Sequence, residues 1–312
     1  KKIAFWFFEF AKKKGLEPKL FDIAKKDVLS LKEIPSSALI MFISPIHGFN
    51  FPEITLRFIK NFPKGKNRVV LMNTRAGLKL GRFVTPGLTG IAFYLSTLLL
   101  KIKGYKISGM IPFDMPSNWI SLHPTLKQNA KDYLAQVNYQ RVEKHAEKIY
   151  SGKSDFYACR EIIIDLLISP IALAYFILGR FIIAKSFYAN DQCNVCGLCV
   201  RECPVQAIRM VNQRPFWTLH CQNCMECFNR CPQKAIEAAH GLFLITSIVY
   251  SVLASLLFNS FIKIKSPFMD WMVTSILFLM LLLSFYQVQH LLLKNKTIAK
   301  IISKTSLTHY QF

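Results

Sequence analysis

Cys193, Cys196, Cys199 and Cys203, the last followed by Pro204, are echoed by Cys221, Cys224, Cys227 and Cys231, followed by Pro232. The second set lies 28 residues after the first, and Pro204-Val205-Gln206-Ala207-Ile208 aligns with Pro232-Gln233-Lys234-Ala235-Ile236. An internal repeat of this kind indicates two copies of one small supersecondary unit. Two residues between successive cysteines let a tight loop turn three sulfurs inward, and the fourth cysteine opens a short helix. Thiolates so spaced suit cubane [4Fe–4S] clusters. Zinc prefers one tetrahedral set, usually two Cys-x-x-Cys pairs with a longer spacer. A disulfide framework suits a small secreted domain, not a chain of 312 residues. Cys159 stands outside both runs and is given no role.

The double run resembles that of bacterial-type two-cluster ferredoxins, in which the fourth cysteine of each run ligates the other cluster. The resemblance implies one cluster on Cys193, Cys196, Cys199 and Cys231. The second would be held by Cys221, Cys224, Cys227 and Cys203. Clusters held this close suit electron relay better than substrate chemistry. Arg201, Arg209, Arg214, Arg230 and Lys234 flank the runs and are expected to favour the reduced, more negative clusters.

The chain that must position these residues is basic and apolar at once. Lys and Arg number 40 against 18 Asp and Glu, a net charge of +22, and 52% of the residues are hydrophobic. Such a balance fits nucleic acid, a membrane surface or an acidic redox partner. Apolar blocks with basic flanks select the membrane, and nucleic acid is set aside. The apolar start, Ile3 to Phe8, is broken by Glu9 and followed by Lys12, Lys13 and Lys14, without a small-x-small cleavage site, so it is not read as a signal peptide. Reduced thiols place the redox part on the cytosolic face of the cytoplasmic membrane.

Residues 1–152 alternate helical and strand patterns, as in an α/β domain with a parallel sheet. Helices are expected over 1–14, 52–61, 90–103 and 124–150, and strands over 19–23, 38–43, 68–73 and 105–113. This part resembles the flavodoxin fold, a doubly wound parallel sheet. The resemblance implies FMN-contacting loops after two of the strands, Ser44-Pro45-Ile46-His47-Gly48 and Asn73-Thr74-Arg75-Ala76-Gly77. In a doubly wound sheet, ligands bind beyond the carboxyl ends of the strands. The stretch from Asp114 to Trp119 is a candidate third wall. The opening strand and the phosphate-cradling loop of a flavodoxin would precede Lys1. The sequence is therefore expected to begin inside a longer protein, which would bind FMN with that loop supplied.

Residues 153–187 are read as an apolar linker helix, interfacial or packed on protein, because spanning would separate the flavodoxin-like domain from the cluster domain at 188–240. Residues 242–262 carry no charge and, at ~1.5 Å per residue, reach roughly the hydrocarbon thickness. With 271–293 they form a transmembrane hairpin inside a region at 241–294, turning at Lys263 and Lys265. A basic tail fills 295–312.

In this order the parts resemble the flavodoxin–ferredoxin fusion family. The likeness includes Ile168-Ser169-Pro170, Lys185-Ser186-Phe187-Tyr188-Ala189 and Arg214-Pro215-Phe216-Trp217. It implies a membrane-associated electron-transfer protein that relays electrons between FMN and two [4Fe–4S] clusters, with protein redox partners and membrane lipid. Two other readings are a flavin and iron–sulfur reductase with its own small substrate, and a membrane scaffold with structural clusters. No paired carboxylates or Cys/His constellation outside the runs supports a substrate site.

Overall fold

The computed structural model describes residues 1–25, 34–81, 83–121, 125–260 and 266–311. The chain divides into two compact units, Lys1–Asn118 with Thr125–Ile177, and Trp119–Pro124 with Leu178–Phe312.

In the first unit, α1 (Lys2–Lys13) buries Ile3, Phe7 and Ala11, one stripe at four-residue spacing. It ends where Gly15 takes a left-handed conformation and the Leu16 N–H donates to the Ala11 carbonyl at 3.0 Å. There follow β1 (Ile40–Pro45), α2 (Glu53–Asn61), β2 (Arg68–Ala76), β3 (Leu78–Leu80), β4 (Phe83–Thr85), α3 (Ala92–Ile102), β5 (Lys106–Met115) and α4 (Gln128–Tyr150). Strands β1, β2 and β5 form a parallel sheet with β2 in the middle. Its Val69, Val70, Leu71 and Met72 are all fully buried, as expected where helices cover both faces. Alternate residues serve the two sides. Val69 and Leu71 pack with Ile59, Phe93 and Leu100 from α2 and α3. Val70 and Met72 pack with Ile3, Phe7, Val142 and Ala146 from α1 and α4.

The strand expected at 19–23 does not form. The Asp22 carboxylate accepts from the Ala24 N–H at 3.1 Å, closing a turn, and Leu20 and Phe21 are exposed. A strand exists through its ladder, and none of the three strands present is the neighbour this segment needs in the doubly wound order 2-1-3-4-5. The antiparallel pair β3/β4, which turns at Gly81 with φ +60°, was not anticipated. Helix α4 was expected from residue 124, which lies outside the described residues; the described helix starts at Gln128.

The apolar linker is one helical run: a 3₁₀ turn (Tyr157–Glu161), α5 (Ile162–Ala174), a π turn (Tyr175–Gly179) and α6 (Arg180–Ala184). Pro170 inside α5 has no N–H to return to the Leu166 carbonyl. One face of the run docks within the first unit, where Asp165 is buried and accepts from the Gly90 N–H at 2.8 Å. Ile163, Leu167 and Ile171 on the rest of it are exposed.

In the second unit, β6 (Phe187–Ala189) is followed by α7 (Leu198–Arg201), β7 (Ile208–Val211), β8 (Arg214–Trp217), α8 (Glu226–Arg230) and β9 (Ile236–Ala238). Strand β6 pairs antiparallel with β9, and β7 with β8. Asn212 and Gln213, both at positive φ, make the two-residue turn of the β7/β8 hairpin. Helices α9 (His240–Ser260) and α10 (Pro267–Leu292) pack together, with the Tyr250 and Phe278 rings 5.5 Å apart. The expected turn with Lys263 and Lys265 lies outside the described residues.

The tail read as merely basic is structured. Helix α11 (Lys296–Lys304) is capped by Asn295, whose side chain accepts from the Thr297 and Ile298 N–H groups. Beyond it, Ser306 Oγ donates to the Ala238 carbonyl at 2.8 Å, and Thr308 Oγ1 accepts from the Ala238 N–H at 2.9 Å. These bonds extend β9 with side chains in place of another strand. Thr308 is fully buried, so Thr308→Val keeps its volume but leaves the Ala238 N–H unpaired. The expected cost is about 1–3 kcal/mol, read as a lower denaturant midpoint. Leu307→Ala, at an exposed neighbour, should leave that midpoint in place.

Candidate metal centre

Each cysteine run folds as a loop that turns through left-handed backbone and then enters a short helix. Val195 and Gly197 in the first loop have φ of 62° and 68°, and Asn223 and Met225, 28 residues later, have 53° and 58°. Gln206 and Lys234 repeat the agreement at 51° and 48°. The repeat is thus a repeat of backbone geometry as well as of residue type. Left-handed conformations at non-glycine residues cost roughly 1–2 kcal/mol each and persist where the surroundings dictate them. Here they wrap each loop around its sulfurs.

Amide groups also converge on sulfur in a repeated way. The Ala207 N–H donates to Cys203 Sγ at 3.2 Å, and the Ala235 N–H to Cys231 Sγ at 3.3 Å. Cys193, Cys196 and Cys199 line one pocket together with Cys231, the fourth cysteine of the other run, and Met210, Pro215 and Ile236 close its apolar side. Burial, then the charges of Cys193, Cys231 and Cys196, push the Cys199 thiol up to about 11. In the second repeat, burial pushes Cys221 up to about 12, with Cys224 and Cys203 adding to the rise. Cys224 reaches about 11 by burial and the nearness of Cys203. Cys231 therefore lies with the three leading cysteines of the first run, and Cys203 acts on two of the second, Cys221 and Cys224.

This donor set fits iron–sulfur clusters. Thiols held so high lose their protons only to a strong positive charge, so metal binding must release protons. Among the described residues no three His, Cys, Asp or Glu side chains converge on a point that one ion could fill. Thiolates of a cubane bind separate irons and stand around a volume instead. Burial, then the charges of Cys221 and Cys224, push the Cys227 thiol well up, and the buried Trp217 ring packs in the same core. The two sites differ in access: Cys196 is exposed, whereas Cys221 and Cys227 are buried beside Trp217 and Phe228.

Sequence reasoning passed over Lys185 as a site residue. Its side chain is buried, its Nζ donates to the Trp217 carbonyl at 2.6 Å, and it lies 4.9 Å and 4.7 Å over the Phe216 and Tyr286 rings. Burial pushes its pKa down to about 8, opposed by the charge of Cys221. The available signal was a lone lysine between an apolar run and the aromatic stretch that follows. Of the basic residues expected to act on the runs, Arg201, Arg209, Arg230 and Lys234 are exposed, and Arg214 donates to the Ala189 and Asn190 carbonyls.

The residues expected to contact FMN do gather at the carboxyl ends of the first unit's strands, but the chain itself uses them. Ser44 Oγ and Thr55 Oγ1 share a hydrogen bond at 2.8 Å, and Pro45 ends β1. The Ile46 N–H donates to the Thr74 carbonyl, and His47 pairs with Asn50. The Tyr175 ring fills the space over Gly48, where a Cβ would have stood. Asn73 donates to Thr89, and the Gly77 N–H, after Ala76, donates to the Met115 carbonyl. Arg75 is buried and paired with Asp114 at 2.7 Å and with Glu161. Burial works against its charge, yet the bonds to Glu161 and Asp114 leave its pKa raised. Trp119 belongs to the second unit, where its N–H donates to the Asn223 carbonyl at 3.0 Å. These residues do not fit FMN as arranged. The nearest buried cation is already answered by two carboxylates, and the chain's own helix covers the strand ends.

Residues 192–236 match the family described as the 4Fe-4S dicluster domain. No curated protein and no solved structure matches the chain. The stretch with the repeated cysteines is thus a ferredoxin-like 4Fe-4S domain, and its chemistry is electron transfer through iron–sulfur clusters.

Proposed function

We propose that the chain is a membrane-associated electron carrier whose relay consists of two [4Fe–4S] clusters. Cys193, Cys196, Cys199 and Cys231 hold one, and Cys221, Cys224, Cys227 and Cys203 hold the other. The observation that carries this reading is Cys231 lining one pocket with the three leading cysteines of the first repeat. Bound clusters supply reversible one-electron chemistry. The Ala207 and Ala235 N–H groups, donated to the fourth cysteines, support added negative charge on sulfur. Trp217, Phe187 and Phe228 keep water from the second site. The first site, open at Cys196, is where a protein donor or acceptor approaches. Its partner surface is expected to be acidic, given the net charge of +22.

The flavin part of the sequence reading receives no support at the strand ends, so no flavin step enters the proposal. The membrane part rests on apolar surface. The run Tyr157–Ala184, of 28 residues, and Met269–Leu292, of 24, are long and apolar enough to cross a bilayer. Exposed Leu166, Leu173 and Ile177 on the first, and Ile276, Met280 and Leu291 on the second, have lipid as their natural cover. The docked face of the first run, with Asp165 on Gly90, favours an interfacial placement for its amino-terminal part.

Anaerobically prepared protein should contain about eight irons with matching sulfide, two [4Fe–4S] clusters being the source. Replacing Cys231 by Ser should remove the paramagnetic signal of the first cluster while retaining the second. Loss of neither signal, or stoichiometric zinc in place of iron, refutes the ligand assignment. FMN titrated into the loaded protein should keep the fluorescence of free flavin; a stable quenched complex would restore the flavin reading. A photolabel dissolved in the lipid phase should mark both long apolar segments in native membranes. Labelling of neither removes the membrane from the proposal.

A further inference from the structure

A buried ammonium is costly unless an opposite charge or a full set of acceptors answers it. Lys185 has one carbonyl, of Trp217, and the faces of Phe216 and Tyr286. Among the described residues no carboxylate pairs with it. Trp217 also connects the lysine to the second site, since its carbonyl accepts from Lys185 Nζ and its ring packs in one core with Cys221 and Cys227. Cys221, itself buried in that core, is a cysteine whose charge acts on Lys185. No lysine or arginine is among the described residues lining the first pocket. The arginine near it, Arg201, donates to the Cys196 carbonyl from an exposed position, where water and salt screen its charge.

We propose that Lys185 is the counter-ion of the second cluster site and sets the potential at which that site accepts an electron. The proposal rests on the two-cluster reading above. On reduction by a low-potential one-electron donor, the site gains one negative charge. Lys185 keeps its proton, and no bond forms or breaks. Burial of Cys221 and Cys227 opposes the added charge, because a poorly solvated site resists it. A fixed cation inside the same low-dielectric region offsets that resistance far more than an exposed one could. Lys185 therefore makes a dry site reducible without opening it to water.

The test is a redox titration of the full chain in detergent, followed by the two paramagnetic signals, with iron and sulfide content measured alongside. In Lys185→Met the second site's reduced-to-oxidised ratio at fixed potential should fall about tenfold, a shift of ~59 mV to more negative values for a one-electron couple. The first site should stay in place, and Lys185→Arg should restore the original midpoint. Lys185→Gln, which can still donate to the Trp217 carbonyl, should behave like Lys185→Met. This separates charge from packing. If both neutral variants fail to load the second site while Lys185→Arg loads it, the pairing is supported through assembly. Unchanged midpoints in loaded Lys185→Met, or a shift confined to the first site, overturn the proposal while leaving the clusters intact. Wild-type protein without iron overturns the cluster reading itself.

Discussion

The crossing of the fourth cysteines constrains the whole second unit. Cys231 lines a pocket with the three leading cysteines of the first run, and Cys203 acts on Cys221 and Cys224 of the second. The two loops are thereby tied to each other, and the secondary structure around them serves that end. The β7/β8 hairpin closes the far side of the first pocket through Met210 and Pro215, and the β6/β9 pair returns the chain after Cys231. The tail beyond α11 fastens β9 through Ser306 and Thr308. Unfastening one loop would draw its fourth cysteine away from the cysteines of the other, which couples the stability of the two halves.

The metal centre was the most legible part of the sequence because three cysteines of each proposed set are local. Three cysteines at three-residue steps define a loop before any tertiary contact is known, and the 28-residue repeat reappears as paired left-handed residues at 195/223 and 197/225. The buried strands were legible for a similar reason: the run from Val69 to Met72 has no polar residue to spare for a solvent face. What escaped depends on residues far apart in the chain. Arg75 and Glu161 are 86 positions apart, and nothing near either announces the other. Their pairing turns an expected ligand crevice into a docking place for the chain's own helix. The segment 19–23 failed for the converse reason, since strand-like composition cannot make a strand without a neighbour.

The helical run from Tyr157 shows how apolar composition alone underdetermines a role. By length and character it can cross a bilayer. Yet Glu161 and Asp165, the acidic residues that interrupt its start, each have a buried partner in the α/β unit. A carboxylate in hydrocarbon would need such a partner, and here the partner is protein. The run is thereby held by its polar face and left apolar on the others.

The two metal sites are repeats in backbone and unequal in surroundings, and the inequality bears on function. An exposed site exchanges electrons readily with partners but lets water solvate each added charge. A buried site is protected from water but resists reduction. Identical surroundings would make one of the pair redundant for relay, since a chain of two carriers is useful when one faces the partner and the other lies deeper. Here Cys196 faces outward, while the second site is enclosed by Trp217 and Phe228, with Lys185 nearby as a fixed positive charge. The cation acts against the penalty that burial creates. The difference between the sites thus resides in side chains outside the cysteine runs, which a reading confined to the motif cannot see.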